Sequence, residues 1–256
     1  MIKLGICTSI DNAVIIREIG YDCIELGLSG IAGMTEEDFQ VLLKKVKAAP
    51  LPVESVNSLL PGDFVLCSEE GTGERIGAYL DRAFSRAEAL GVRIAVFGSG
   101  AARRLPDGMS ETAGYEYLAR FLHFAAEKAA AHGITIAIEP LRAAECNIIN
   151  FVSEAQSLAA LVPDKNVGAL ADLYHMMRGS DSYDALENGI SILHAHIAEK
   201  EGRGYPKAAD ACLPEYKEFF RRLKSAGYEG RVMIEGGSRN FEEDARAAFK
   251  LLDSLR

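Results

Sequence analysis

The chain is poor in several features that would have assigned it elsewhere. Its 256 residues hold five cysteines, Cys7, Cys23, Cys67, Cys146 and Cys212, an odd number with no C-x-x-C spacing. That excludes a disulfide framework or a zinc knuckle, and most of them read as small buried hydrophobes in a reducing cytoplasm. No apolar run approaches the ~18 residues of a membrane span. The N-terminus, MIKLGICTSI, is strand-like and lacks the basic start, long apolar stretch and small-residue cleavage site of a signal peptide. A cytoplasmic location is therefore expected. Positive charge is also short: 28 Lys and Arg against 37 Asp and Glu leave a formal net charge of −9. Nucleic-acid binding rests on Lys and Arg contacts to phosphate, so such a partner is disfavoured. The loop after the first strand-like run, CTSIDNAV, has no G-x-G-x-x-G, the glycine loop a doubly wound nucleotide-binding sheet would normally carry there. No linker, low-complexity tract or charge run divides the chain, so residues 1–256 are read as one domain.

What is present is a regular alternation. Strand-like runs fall at 2–8, 23–27, 52–57, 92–98, 134–139, 167–172, 192–197 and 232–235. Several are continuously apolar and β-branched, as expected of parallel strands buried on both faces. Helical spacing is found over 35–48, 74–90, 111–132, 153–161, 182–188, 214–226 and 240–255. Thr35 followed by two glutamates starts the first of these. Gly20, Gly91, Gly133 and Gly227 each stand where a helix must stop before a strand. Eight strands, each followed by a helix or helix-like stretch, predict an α/β fold of the (β/α)8 barrel type, the TIM barrel.

Four of the last runs end in metal-binding side chains: ITIAIE in Glu139, VGALAD in Asp172, ILHAH in His196 and VMIE in Glu235. In a barrel of parallel strands the C-terminal strand ends converge on one face, where active sites sit. Two glutamates, one aspartate and one histidine meeting there form a donor set for one divalent ion, with manganese, magnesium, cobalt and zinc all acceptable. Taken one at a time, each carboxylate is as readily a strand-end cap or ion-pair partner; the coincidence of four is what favours a metal. His175 lies three residues past Asp172, within one turn if the chain curls there, so both can face one site. His194 shares the strand face of His196 and reads as a barrel-interior residue. Glu25, at the end of CIELG, can hydrogen-bond inside the barrel mouth or serve function. Asn57 and Phe97 are further strand-end candidates of low specificity. Arg142 is either a surface loop charge or a substrate contact. The Arg103–Arg104 pair in GSGAARRLP reads either as a solvated loop pair or as an anion holder for phosphate.

Around these positions the resemblance becomes specific. IEPLRAAECNIIN (138–150), ADLYHMM (171–177), HAHIAEK (194–200) and MIE (233–235) resemble, in order, the segments that build the site of sugar phosphate isomerases/epimerases. These belong to the xylose isomerase-like barrel superfamily, which includes ketose 3-epimerases and hydroxypyruvate isomerase. The resemblance runs over the whole chain, is strongest over 90–236, and does not choose a substrate. It implies metal ligation by Glu139, Asp172, His196 and Glu235, and substrate contacts from Glu145 and His175. It implies a substrate-binding Arg after the His-x-His segment, and Arg203 stands one place later than that pattern asks. It also implies a homo-oligomer and a small sugar or polyol substrate, and neither a nucleic-acid nor a membrane partner is expected.

The expected chemistry is proton abstraction beside a carbonyl. A metal on the carbonyl and neighbouring hydroxyl oxygens stabilises an enediolate, and carboxylates move the proton. Glu139 and Glu235 form the expected acid/base pair, with His175 at the developing oxyanion and Glu145 and Arg142 orienting hydroxyls. Rival readings are a keto-inositol dehydratase-like lyase on the same metal site, a DNA-repair endonuclease of the superfamily (endonuclease IV-like), and a non-catalytic sugar- or metal-binding barrel. The endonuclease needs more histidines than the five present, two of which, His123 and His132, fall on or at the end of a helical run.

Overall fold

A computed structural model describes residues 1–187 and 192–256. Eight parallel strands close in chain order: β1 (Lys3–Cys7), β2 (Cys23–Gly27), β3 (Val53–Asn57), β4 (Ile94–Phe97), β5 (Thr135–Ile138), β6 (Val167–Asp172), β7 (Ile192–Ile197) and β8 (Arg231–Ile234). β8 pairs with β1 through Lys3↔Arg231 to Ile6↔Ile234, so the sheet has no free edge. Each predicted strand is present, shorter by up to three residues where a polar or loop residue takes over.

The helices around the barrel are α1 (Ala13–Ile19), α2 (Leu28–Gly33), α3 (Glu36–Ala48), α4 (Glu74–Ala89), α5 (Gly100–Arg103), α6 (Glu111–Ala131), α7 (Val152–Leu161), α8 (Leu173–Gly179), α9 (Leu213–Ser225) and α10 (Phe241–Asp253). Thr35 caps α3 by accepting from the Asp38 amide, and Ser110 caps α6 by accepting from the Ala113 amide. Gly91 and Gly133 adopt φ of 90° and 64° after α4 and α6, a left-handed conformation that costs a residue without Cβ little. The helix predicted over 182–188 is one 3₁₀ turn, Tyr183–Leu186, and residue 188 lies outside the described residues. α2, α5 and α8 are short helices sited directly after strands, too brief for hydrophobic periodicity to reveal.

Alternation along the strands builds two layers. Ala95, Phe97, Ile136, Ile138, Ala195 and Ile197 face outward and pack in one large core with the helices. Ile94, Val96, Ala137 and Leu170, with Leu193 against them, form a small separate cluster that plugs the barrel. Above this plug the interior turns polar. Glu25, His194 and His196 are buried side by side there, and Glu139 and Asp172 are buried beside them at the mouth.

Candidate metal centre and active site

Strand register brings the predicted ligands together. Asp172 and His196 are direct partners across β6 and β7. Glu139 and Glu235 sit one residue past β5 and β8, and each is tied back to its neighbour by its own amide, to the Phe97 carbonyl and the Ile197 carbonyl, both at 3.1 Å. One donor atom from each of Glu139, Asp172, His196 and Glu235 can lie within 4.8 Å of all the others.

Their remaining hydrogen bonds leave the right atoms facing inward. Asp172 is also the N-cap of α8: Oδ1 accepts from the amides of Tyr174 at 2.7 Å and His175 at 3.3 Å. Its Oδ2 is buried with no hydrogen-bond partner. His196 turns Nδ1 toward Glu139 Oε1 at 3.1 Å and Glu235 Oε2 at 3.6 Å. Its other nitrogen, Nε2, lies 3.0 Å from Glu25 Oε1. Glu25 Oε2 takes His194 Nε2 at 2.7 Å, and the Cys7 thiol donates to Oε1 at 3.1 Å. A buried carboxylate behind a ligating imidazole fixes which nitrogen faces the metal.

The charges are strongly displaced. Burial pushes the Asp172 carboxyl up to about 6, the negative charge of Glu235 adding to it against His196 and Arg203. Burial raises Glu139 too, and Glu235 beside it adds to the effect. Glu235 is held at about 2: burial opposes ionisation, but His196 and Arg203 outweigh it. For His196 burial disfavours the charged form, yet Glu25 and Glu235 hold its pKa well above the ordinary value. Glu139, Asp172 and Glu235 share His196 and the Arg203 guanidinium, and Glu25 draws on His196 as well, so carboxylates outnumber the positive groups around the cluster. Three carboxylates and an imidazole, with Asp172 Oδ2 unspent, fit a hard or borderline divalent cation.

Around the ligands stand the other predicted residues. Arg142 donates through Nε to Glu145 Oε1 at 2.6 Å, and its amide donates to His175 Nδ1 at 3.2 Å. Since Nδ1 accepts, the neutral ring carries its proton on Nε2, a buried atom with no hydrogen-bond partner, 3.6 Å from Asp172 Oδ2. Burial keeps the His175 pKa below its ordinary value. Arg203, whose φ is 47°, reaches in to bond Glu235 Oε2 at 2.5 Å, with Glu145 Oε2 at 3.8 Å. Asn57 Nδ2 donates to Glu235 Oε1 at 2.9 Å. Gly98 cradles Glu139: a Cβ there would collide with the Glu139 carboxylate.

Two expectations are corrected. Arg103 is neither a phosphate holder nor solvated, whereas Arg104 is exposed on the loop. Arg103 is fully buried and donates to the carbonyls of Phe97 at 3.1 Å and Ile149 at 3.3 Å, while Arg104 donates to the Glu145 carbonyl at 2.8 Å. Each guanidinium pins loop backbone, Arg103 through Nη1 and Nη2 and Arg104 through Nη2. Phe97 packs outward on Phe121, their ring centroids 5.2 Å apart, and is not in the site. Most of the cysteines are buried, as expected: Cys23, Cys67, Cys146 and Cys212 are, and Cys7 is half-buried at the mouth. Tyr174 was not foreseen: its ring carries the guanidiniums of Arg203 at 4.7 Å and Arg142 at 5.7 Å. Its only sequence signal was adjacency to His175. His123 and His132 lie apart from the site, paired with Asp164 and Glu88, each at 2.7 Å.

A family model described as xylose isomerase-like TIM barrel matches residues 14–255. The chain belongs to this family. Among curated proteins, this xylose isomerase-like barrel is 29% identical over 115 residues to a ketose 3-epimerase of Arthrobacter globiformis, covering 44% of this chain and 38% of that protein. It is 30% identical over 129 residues to a 3-dehydro-D-guloside 4-epimerase of Escherichia coli (strain K12), covering 50% of this chain and 46% of that one. The matched stretch thus spans less than half the length of either relative. A solved structure of D-psicose 3-epimerase in the presence of D-fructose superposes with a TM-score of 0.83 over 99% of both chains at 19% identity, a likeness of fold.

Proposed function

We propose that this barrel is a divalent-metal-dependent epimerase or isomerase acting on a sugar-like keto compound, by moving a proton on the carbon beside its carbonyl. The observation that carries this reading is the pair Glu139 and Glu235, on β5 and β8, both within one cluster with Asp172 and His196. The names of the two curated relatives, a ketose 3-epimerase and a 3-dehydro-D-guloside 4-epimerase, agree with it.

Glu139, Asp172, His196 and Glu235 would hold the ion. When bound, it supplies the Lewis acid that stabilises negative charge on the substrate's carbonyl and neighbouring hydroxyl oxygens as an enediolate develops. The chain's own groups do the rest. Asp172 Oδ2 and His196 Nδ1 only hold, being fixed from behind by the α8 amides and by Glu25. Glu139 turns one oxygen to His196 and keeps the other to take or return a proton at carbon, and Glu235 would do so by giving up its hydrogen bond from Asn57 or Arg203. They stand on different sides of the mouth. A substrate lying between them epimerises when one removes the proton and the other returns it to the opposite face. If a single Glu carries the proton between neighbouring carbons, the outcome is aldose–ketose isomerisation. His175 Nε2–H donates to the developing oxyanion, and Arg142, Glu145 and Arg203 orient hydroxyls.

The test is turnover of a panel of keto sugars in D2O by manganese-loaded protein, with Glu139→Gln and Glu235→Gln beside it. Wild type is expected to incorporate solvent deuterium at one carbon without change in covalent composition. Each variant is expected to lose ~10²- to 10⁴-fold in kcat, the usual contribution of a positioned acid or base. Wild-type-like rates in both variants would sink the assignment, and a product lighter by one water would mark a dehydratase instead.

A further inference from the structure

The His196 ring has a second edge, and another set of donors meets it. On the side away from Glu139 and Glu235, Nε2 lies 3.0 Å from Glu25 Oε1, and the Cys7 sulfur stands 3.1 Å from the same oxygen. One donor atom from each of Cys7, Glu25 and His196 lies within 4.8 Å of the others. Nε2 is buried and has no hydrogen-bond partner among the described residues, so its approach to Glu25 is close without being a hydrogen bond. Glu25 is itself held from behind, its Oε2 taking His194 Nε2 at 2.7 Å. An outer partner of that kind fixes the direction in which a carboxylate offers its free oxygen.

The two donor sets flanking His196 differ in softness. Glu139, Asp172 and Glu235 add only oxygen to the imidazole, whereas Cys7 adds sulfur. Sulfur selects soft or borderline ions over magnesium and manganese. One thiolate, one imidazole and one carboxylate, with a water in the fourth position, make a tetrahedral set. Ligand distances of ~2.0–2.3 Å place neighbouring donors of a tetrahedron roughly 3.3–3.6 Å apart, so the contacts at 3.0 and 3.1 Å need to open by about half an ångström. An entry path exists. Cys7 is half-buried, and Cys7 and Glu25 line the cavity between the ends of β1 and β2 together with the polar side chains of Thr8, Ser9 and Asn57.

We propose that Cys7, Glu25 and His196 form a second metal site, for one soft divalent cation such as zinc or cadmium, and that an ion there excludes the ion of the Glu139–Asp172–His196–Glu235 cluster. On binding, the Cys7 thiol gives its proton to solvent and the sulfur bonds the ion as thiolate. His196 supplies the lone pair of Nε2, and the proton of the neutral ring sits on Nδ1. A neutral imidazole offers one ring lone pair at a time, so Nδ1 no longer serves the other cluster. The soft ion thereby acts as an inhibitor, removing one of the four donors the other ion needs. The exclusion rests on the metal-dependent reading given above; the site itself does not.

The probe is Cd²⁺, whose bond to a thiolate gives an ultraviolet charge-transfer band that a site of oxygen and nitrogen alone lacks. Wild type titrated with Cd²⁺ is expected to develop the band and saturate at one thiolate-bound ion per chain. Cys7→Ser and Cys7→Ala, with melting temperatures recorded to confirm that they fold, are expected to lack it. No band in wild type, or a band of wild-type size in both variants, overturns the site. Binding of Mn²⁺ is followed in parallel by electron spin resonance of the free ion. Mn²⁺ at ten times its own Kd should weaken Cd²⁺ binding, read from the band, by about 11-fold in wild type. Asp172→Asn, which disables the other cluster, should remove that effect and keep the band. Manganese that binds without weakening the band overturns the exclusion. Manganese that does not bind removes the metal-dependent reading, and a band lost in the Cys7 variants then upholds the soft-ion site by itself.

Discussion

Glu25 shows how one carboxylate can govern a site it does not line directly. It is fully buried, yet its pKa lies well below the usual range: burial pushes it up, and His196 and His194 more than reverse that. Its Oε2 bonds Nε2 of His194 at 2.7 Å and its Oε1 lies 3.0 Å from Nε2 of His196, whose Nδ1 faces Glu139 and Glu235. Glu25→Gln keeps the volume and removes the charge. Titration of metal-free protein with Mn²⁺ should show affinity lowered by roughly 10- to 100-fold, the usual effect of losing such a partner; an unchanged Kd would mean that Glu25 serves the fold alone. Arg103 illustrates the opposite case, a charge that looks functional in a Gly-rich loop but is consumed by two backbone carbonyls. Nothing in GSGAARRLP distinguishes those outcomes, because the carbonyl of Ile149 arrives from 46 residues away.

At the scale of elements, the two ends of the barrel do different work. At the N-terminal end Glu54 of β3 joins the first and last strands: it accepts from Lys3 Nζ at 2.6 Å and from Arg231 Nε and Nη2 at 2.9 and 2.7 Å. Burial raises its pKa, but these hydrogen bonds outweigh burial and the net shift is downward from 4.5. A folded pKa below the unfolded one means stabilisation that is present above the unfolded value and is lost as pH falls through the folded one. Glu54→Gln should therefore destabilise by about 1–2 kcal/mol at neutral pH, with wild type and variant converging in urea melts below pH ~4. A gap that persists in acid would assign the effect to shape and not to charge. At the C-terminal end, strand termini pass into short helices, and Asp172 is at once strand end, helix cap and a carboxylate of the cluster proposed to hold a metal. Asn retains the capping oxygen, so Asp172→Asn isolates the metal role from the structural one.

For the whole molecule, the metal cluster draws on β5 to β8 and, through Glu25, on β2, so a bound ion ties distant parts of the chain together. A ligand that binds only the folded state at 100 times its Kd adds ~2.7 kcal/mol, and for a domain of 150–250 residues each kcal/mol moves Tm by about 2–4 °C. Saturating Mn²⁺ should therefore raise Tm by roughly 5–10 °C, chelator should reverse it, and Asp172→Asn should abolish the response. An equal rise in Asp172→Asn would place the ion elsewhere.

The barrel was legible in the sequence because burial on both strand faces forces continuous apolar runs, and because glycine is needed where helices stop. Glu139, Asp172, His196 and Glu235 were legible because strand ends are positions and positions can be counted. What counting could not reach were contacts made across the barrel: Glu25 behind His196, Asn57 and Arg203 on Glu235, Tyr174 beneath two guanidiniums, and the burial of Arg103. The sequence by itself determined the eightfold alternation and the four strand-end positions of the cluster, since local periodicity and spacing carry them. Only the tertiary structure decided which nitrogen of His196 faces the cluster and which arginines reach it, because each depends on groups far apart in the chain meeting at one end of a closed sheet.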